Sequence, residues 1–217
     1  MTADRQPRGE SRLADRVVLQ GTVDFTMMYA AHDAFARHLN RVITAVDADG
    51  AASAVARWTL FATQLHIHHT AEDKSLWPKL LEAVELDEER AILDAMEREH
   101  AIIDPLLQRI EAAFESSARE ELSAALYELR DGLTAHMRHE ENEALPLIQK
   151  YLGRTGWAKF GEDIRKTQGT SGGAVYCPWL LDGASDQAAT KALAILPAPV
   201  RLLYRTVWVP KYQRSLR

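Results

Sequence analysis

The chain has 217 residues, of which 47% are hydrophobic and 26% are charged. This is the balance of a globular protein with a substantial core, and it excludes a chain that is disordered throughout. Acidic residues outnumber basic residues by 31 to 26, for a net charge of −5. General nucleic-acid binders usually carry the opposite sign, so we expect no nucleic-acid partner.

Cysteine content and apolar runs indicate the compartment. The one cysteine, Cys177, cannot form an intramolecular disulfide, which suits a reducing compartment. The polar start of the chain lacks the apolar stretch of a signal peptide, and no apolar run is long enough to span a bilayer. We therefore expect a cytoplasmic protein without a membrane span.

The chain begins with a polar N-terminal segment, residues 1–21, followed by two stretches with the apolar spacing of amphipathic helices. The first helix is predicted from Thr22 to the break near Gly50. The second is predicted to begin after an N-cap at Ser53 and to fade beyond Pro78.

Two further amphipathic helices follow. The third is predicted to begin near Asp87 and contains Pro105, which should kink it. The fourth is predicted to begin with a capping box from Ser117 to Glu120 and to end at Gly153. Four long helices with short connections predict an all-α protein, an antiparallel up-and-down four-helix bundle over residues 22–153.

Residues 154–217 differ from the bundle in composition and are predicted to form a C-terminal extension, part helical and part irregular. A short helix is expected over 157–167, a loop over 169–173 and a turn over 178–183. We expect this extension to pack on the bundle as an appendage, not to form an independent domain.

An internal repeat carries polar residues through the predicted core. The motif His-x3-Glu-x5-Pro occurs twice. Its two copies are His68, Glu72, Pro78 and His136, Glu140, Pro146. The shift along the chain from His68 to His136 also relates His32 to His100. Core packing alone does not explain why polar residues should keep this spacing.

The spacing suits a metal centre. Residues four apart in a helix lie on one face, so each motif can aim one imidazole and one carboxylate at a common point. Unpaired carboxylates in a core are costly, and two divalent cations would balance them. Mixed nitrogen and oxygen ligands suit iron, manganese or zinc. The candidate metal ligands are His32, His68, Glu72, His100, His136 and Glu140.

Five more residues are candidates for extra ligands or for outer partners that orient a ligand. They are His69, His139, Glu143, Asp73 and Tyr29. For Tyr29 an ordinary core position is favoured. His66 and His38 do not follow the repeat; His66 is expected at the surface, and His38 at the surface or just outside the centre.

The order His, His-x3-Glu, His, His-x3-Glu on four helices resembles the hemerythrin-like (HHE cation-binding) domain, in particular bacterial, actinobacterial members with a C-terminal extension. Local stretches that support the resemblance are HHTAED and LWP in the first half, and HMRHEE and LP in the second. The resemblance implies a non-haem di-iron centre, two iron ions with an oxo or hydroxo bridge. It also implies that the six candidate ligands hold the iron, with Glu72 and Glu140 as bridges.

One feature departs from the oxygen-carrying members of that family. These place two histidines one turn apart on the third helix, whereas the positions one turn from His100 are Met96 and Asp104. Either His69 or His139 supplies the missing imidazole, or the centre is more open. An open position is what small-molecule chemistry requires.

The leading functional hypothesis is a di-iron protein that binds or turns over O2, hydrogen peroxide or nitric oxide in the response to oxidative or nitrosative stress. As an enzyme it would be a catalase-like peroxide-decomposing or NO/O2-reactive oxidoreductase. One alternative is an iron or gas sensor without turnover. A ferritin-like di-iron oxidase is disfavoured, because that architecture uses two Glu-x-x-His motifs and only Glu97 to His100 provides one.

The end of the chain suggests a partner. Residues 191–217 contain six basic residues and no acidic residue. Together with a second apolar stripe from Val200 to Trp208, this favours contact with a protein or an anionic membrane surface. The competing interpretation, which we favour, is that the segment packs on the bundle or closes the site.

Overall fold

The computed structural model describes residues 18–116 and 118–215, with only the backbone of Thr170. Over this part of the chain the protein is helical and has no strand, which confirms the predicted all-α class. The bundle helices are α1 (Thr26–Asp49), α2 (Val55–Ala71), α3 (Trp77–Ala83), α4 (Asp87–Ser116), α5 (Arg119–His139) and α6 (Leu145–Leu147). Contacts run from α1 to α2, from α2 and α3 to α4, from α4 to α5 and back to α1, which closes the bundle.

The predicted N-cap of α2 is wrong, and the predicted capping box of α5 cannot be tested. Ser53 does not cap α2, whose N-cap is Ala54. The Ser53 hydroxyl instead donates to the carbonyl oxygens of Ala45 and Gly50, at 3.1 and 2.8 Å, and so closes the connection after α1. Ser117 of the predicted capping box, like residues 1–17 of the N-terminal segment, lies outside the described residues.

The two halves of the bundle share a break in helical geometry. A π-helical turn follows α2 at Glu72–Leu76, and another follows α5 at Glu140–Ala144. Pro78 and Pro146 stand just beyond these turns. Proline has no N–H, and its ring collides with the carbonyl four residues before it in a regular α-helix. The wider π turn accommodates this change, and such turns often mark functional sites.

Apolar side chains form two clusters, one at each end of the bundle. The large apolar cluster includes Phe35, Trp58 and Leu126, and the small apolar cluster includes Trp77 and Met96. The candidate metal ligands lie on α1, on α2 and the π turn after it, on α4, and on α5 and the π turn after it. In each of these, they lie at or near the point in the chain where residues of one apolar cluster are followed by residues of the other. The centre therefore has apolar packing on both sides.

The C-terminal extension is more helical than predicted. It contains α7 (Gly153–Leu181), α8 (Asp186–Ile195), α9 (Ala198–Leu203), a π-helical turn (Tyr204–Trp208) and α10 (Val209–Ser215). The loop expected over 169–173 reduces to a break at Gly169, whose φ of 64° favours glycine. The turn expected over 178–183 is also shorter, because Pro178 lies within α7 and the helix ends only at Leu181.

The extension is held against α1 by a short segment at the end of α7. The Trp179 side chain is fully buried and stacks on His38, with ring centroids 4.7 Å apart. The Nε2–H of His38 donates to the Trp179 carbonyl at 2.8 Å. Arg37 donates to the Leu180 carbonyl at 2.7 Å, and Arg41 pairs with Asp182 at 2.6 Å.

His38 therefore has a structural environment that the sequence did not predict. The expected surface position is wrong, because α7 covers His38, and the hydrogen bond of its ring goes to Trp179 and not to a candidate ligand. Among the described residues, no helix is long and apolar enough to cross a membrane.

Candidate metal centre

Two groups of potential ligands meet in the middle of the bundle. The three-histidine cluster consists of His69, His100 and His136, and the mixed cluster of His32, His68 and Glu140. Within each cluster, one ligand atom from every residue lies within 4.8 Å of the others. All six side chains are buried except that of His68, which is 11% exposed.

Glu72 lies between the two clusters. Its Oε1 is 3.2 Å from Nε2 of His68, and its Oε2 is 3.8 Å from Nε2 of His100. One carboxylate thus faces a member of each cluster, which is the arrangement that a bridging ligand requires. The Oε2 of Glu140 lies 3.1 Å from Nε2 of His32.

Many of these polar atoms have no hydrogen-bond partner among the described residues, although they are buried. Apart from the close His32–Glu140 and His68–Glu72 contacts just given, this applies to Nε2 of His32, both ring nitrogens of His69, and both carboxylate oxygens of Glu72 and of Glu140. Buried polar groups are normally satisfied, and leaving them unpaired is costly. The set is composed of imidazole nitrogens and carboxylate oxygens, which fit divalent iron, manganese or zinc.

Three outer carboxylates fix the imidazoles. The Nδ1–H of His32 donates to Glu141 at 2.8 Å. The same atom of His100 donates to Asp73 at 2.7 Å, and that of His136 donates to Glu99 at 2.8 Å. A carboxylate can only accept, so Nδ1 carries a proton in each of these rings and Nε2 faces the centre, where the Nε2 atoms of His100 and His136 lie 3.0 Å apart.

Sequence reasoning identified Asp73 but missed Glu99 and Glu141. The repeat contained the signal for Glu141, because this residue is the equivalent of Asp73 in the second half. The two hydrogen bonds, from His32 to Glu141 and from His100 to Asp73, are equivalent under that shift. Glu99 has no counterpart, because the matching position is Ala31.

The charges of the mixed cluster are strongly coupled. Burial opposes protonation of His32, but the negative charges of Glu140 and Glu141 outweigh it and raise the His32 pKa to about 9. Burial and the positive charge of His32 lower the pKa of His68 to about 3. Burial likewise opposes ionisation of Glu140, but His32 and other nearby imidazoles hold its pKa near 2.

Glu72 behaves in the opposite way to Glu140. Burial, with the charges of Glu140 and Asp73, raises the Glu72 pKa well above its usual range. These shifts favour the protonated form of Glu72 and an ion pair between Glu140 and His32. Cations would replace these protons, because metal ligands bind in their deprotonated forms.

The two extra histidine candidates have different positions. The His69 ring stacks on that of His100, with centroids 3.9 Å apart, and belongs to the three-histidine cluster. The side chain of His139 is 33% exposed, and its Nδ1–H donates to Glu99 at 2.7 Å. His139 is therefore connected to the centre only through Glu99, which also accepts from His136.

The remaining candidates belong to neither the three-histidine cluster nor the mixed cluster. Glu143 is exposed to solvent, so the suggestion that it is a ligand or an outer partner is not supported. Tyr29 is buried in the small apolar cluster, and its hydroxyl accepts from the Leu19 N–H at 3.0 Å. His66 is exposed, as expected.

The three-histidine cluster and the mixed cluster contain different numbers of imidazoles, and the sequence repeat shows where the difference arises. His69 belongs to the three-histidine cluster, but its equivalent in the second half of the repeat is Met137. The mixed cluster consequently contains two imidazoles where the other contains three. A metal ion there would have fewer nitrogen ligands from the chain.

Comparison with known proteins agrees with the geometry. A family model described as the Hemerythrin HHE cation binding domain matches residues 23–148, a span that contains both clusters and Glu72. No curated protein and no solved structure gives a significant match.

Proposed function

The chain belongs to the hemerythrin HHE cation-binding domain family, and from this premise we propose that it holds two iron ions and binds or turns over O2, hydrogen peroxide or nitric oxide. The observation that supports this proposal best is the set of buried, unpartnered ligand atoms arranged as two adjacent clusters. As an enzyme, the protein would decompose peroxide in a catalase-like reaction or act as an NO/O2-reactive oxidoreductase in the stress response.

The two clusters suggest how the ligands divide. His69, His100 and His136 would hold one ion, and the mixed cluster would hold the other. Glu72 would bridge the two, since its oxygens face His68 and His100. Glu140 has one oxygen near His32 and a second without a hydrogen-bond partner among the described residues, so it suits a second bridge.

The charge of the site can accommodate two divalent cations. Two divalent ions and two ionised bridging glutamates leave a positive centre of about +2, because neutral imidazoles add no charge. Asp73, Glu99 and Glu141 each lie one hydrogen bond away from a histidine of the centre. These outer carboxylates offset the remaining charge and fix the imidazole orientation.

When bound, iron would supply redox-active, Lewis-acidic positions for a small diatomic molecule or peroxide. The chain itself limits what can reach them. The apolar clusters on both sides exclude bulk water from the centre. The mixed cluster, with Met137 at the repeat position of His69, provides fewer nitrogen ligands and is the place where we expect the small molecule to coordinate.

A sensor without turnover is the second candidate function, and a chain of aromatic contacts favours it. The ring of His68 lies 5.1 Å from that of Phe35, and Phe35 lies 5.2 Å from Trp179 in the extension. A change at His68 could therefore alter the packing of the extension. The ferritin-like alternative gains no support, because Glu97 of its one Glu-x-x-His motif is exposed.

The experiment that tests the proposal exposes anaerobic, iron-loaded, reduced protein to O2, H2O2 and NO in turn. We expect a new absorption band with at least one of them, and release of O2 from H2O2 if the protein is an enzyme. Spectral change without turnover would indicate a sensor. A His68→Ala variant should lose the response while a His66→Ala variant keeps it. No response from a loaded centre to any of the three would contradict the proposal.

A further inference from the structure

The last helices of the extension expose large aliphatic side chains. Ile195, Leu202, Leu203 and Val207 are 47%, 62%, 45% and 49% exposed. They lie close together along the chain, on α8, α9 and the following π-helical turn. We call these four residues the aliphatic face. Apolar side chains concentrated in this way at the surface mark an interaction site.

Other residues of the same segment are anchored to the protein. Ala192 and Tyr212 are buried in the large apolar cluster, and Leu193 and Tyr204 pack against it. The Tyr212 hydroxyl donates to Asp182 at 3.2 Å, and Asp182 also pairs with Arg41 of α1. The aliphatic face thus belongs to a segment that packs on the bundle, while its own four side chains stay exposed.

Charge is distributed unevenly around this face. All 31 acidic residues of the chain lie at or before Asp186, and the chain from Gln187 onward contains six basic residues. Four of these basic residues are exposed: Lys191, Arg205, Lys211 and Arg214. In a chain that is acidic overall, the charged side chains of this segment are therefore all basic.

We propose that the aliphatic face and its surrounding basic residues dock on the surface of an anionic lipid bilayer. An amphipathic helical segment of this kind lies in the interface, with aliphatic side chains at the boundary of the acyl chains and basic side chains among the headgroups. Each Lys or Arg near an anionic surface contributes to the attraction, and salt weakens it.

Other occupants match the surface less well. A two-fold pair of this chain would place one basic segment against its copy, and like charges would repel. Protein interfaces are enriched in aromatic residues at their centres, but Tyr204 and Trp208 are half-buried and Tyr212 is buried. The exposed apolar residues here are all aliphatic, which suits lipid.

The test is co-sedimentation of the metal-loaded full chain with two kinds of vesicle, pure phosphatidylcholine and a mixture with about one-third phosphatidylglycerol. We expect binding to the mixed vesicles, little binding to the neutral ones, and loss of binding as salt rises. Equal binding to both kinds, or binding to neither, overturns the proposal.

Matched variants separate the aliphatic and charge contributions. Leu202→Gln/Leu203→Gln should weaken binding at least about tenfold through lost apolar burial. Arg205→Gln/Arg214→Gln should weaken it about 25-fold, at about fivefold for each charge. The controls are Ile102→Gln and Arg98→Gln, which change exposed residues of α4 and should leave binding as in the parent.

Two further results would overturn the proposal. One is vesicle binding by both double variants equal to that of the parent, with helicity and metal content unchanged. The other is a parent chain that is dimeric in solution and becomes monomeric in the Leu202→Gln/Leu203→Gln variant, because the face would then be an interface between two copies. Neither measurement depends on the chemistry of the metal centre.

Discussion

At the scale of single residues, outer carboxylates fix the orientation of three histidines of the centre, His32, His100 and His136. His32 and His100 use equivalent outer partners, Glu141 and Asp73, because the two halves of the bundle repeat each other. Glu99 departs from this symmetry by accepting from both His136 and His139. The imidazoles of His32, His100 and His136 are thereby held with one nitrogen toward the centre, which lowers the cost of ordering them when a cation binds.

His69 is the residue whose role is tested most simply. Replacing His69 by Met copies the residue that the repeat places at Met137 and removes one imidazole from the three-histidine cluster. We expect bound iron to fall from about two ions per chain toward about one, since structural sites depend on their full ligand set. Elemental analysis measures this directly. His66→Met, at an exposed neighbour, should keep the parent's iron content.

Glu99 provides a test of the outer carboxylates. A Glu99→Gln variant keeps the shape of the side chain but loses the charge that two imidazole N–H groups donate to. Loss of such a partner typically costs about 10- to 100-fold in metal affinity. Competition with a chelator would measure the change. Glu143→Gln alters an exposed residue nearby and should leave the affinity unchanged; an equal effect from both would contradict the role of Glu99.

His38 should make stability depend on pH. Burial, with smaller effects from Arg41 and Arg37, lowers its pKa from 6.5 to about 4, although the bond to Trp179 opposes this. The folded state favours the neutral ring, so stability is complete above pH 6.5 and falls as pH drops toward 4. Over this pH range the titration of His38 should lower the free energy of unfolding by about 3 kcal/mol.

A His38→Gln variant isolates that dependence, because its amide can still donate to the Trp179 carbonyl but does not titrate. The difference in unfolding free energy between parent and variant, measured with denaturant, should shrink as pH falls from 6.5 toward 4. Parallel pH profiles for the two proteins would show that His38 does not titrate in this way.

At the scale of elements, apolar periodicity predicted the four bundle helices well, because each has to bury one face. The same method failed where other contacts decide the conformation. Residues 170–173 looked like a loop, yet they are helical, as is Pro178, since α7 continues to the buried Trp179. The π-helical turns at Glu72 and Glu140 were also missed, although the repeated prolines contained the signal.

Trp179 links the extension to the bundle, and its removal tests that link. Trp179→Ala would leave a cavity beside Phe35 and His38, and should lower the unfolding free energy by about 3–5 kcal/mol. Because Phe35 packs on His68, the spectrum of the loaded centre should shift as well. Trp208→Ala, at a half-buried tryptophan of the same extension, should cost clearly less and leave the spectrum unchanged.

At the scale of the whole molecule, a duplicated helix pair encloses polar residues between two apolar clusters. The duplication made the six repeated candidates visible in the sequence, since polar residues on buried faces have no other reason to keep one constant spacing. Whether His69 or His139 joins them could not be predicted, because both lie beside a repeated histidine. Their side-chain directions decide the matter: His69 is buried on His100, and His139 turns toward Glu99.

The iron content of the chain tests the central proposal most directly. Protein produced in iron-supplemented cells is compared with a His68→Ala/His136→Ala double variant, which removes one ligand from each cluster, and with His66→Ala as the matched control. We predict about two iron ions per chain in the parent and in the control, and a sharp loss in the double variant. A folded parent without iron, or with one zinc that does not depend on these histidines, would contradict the di-iron account.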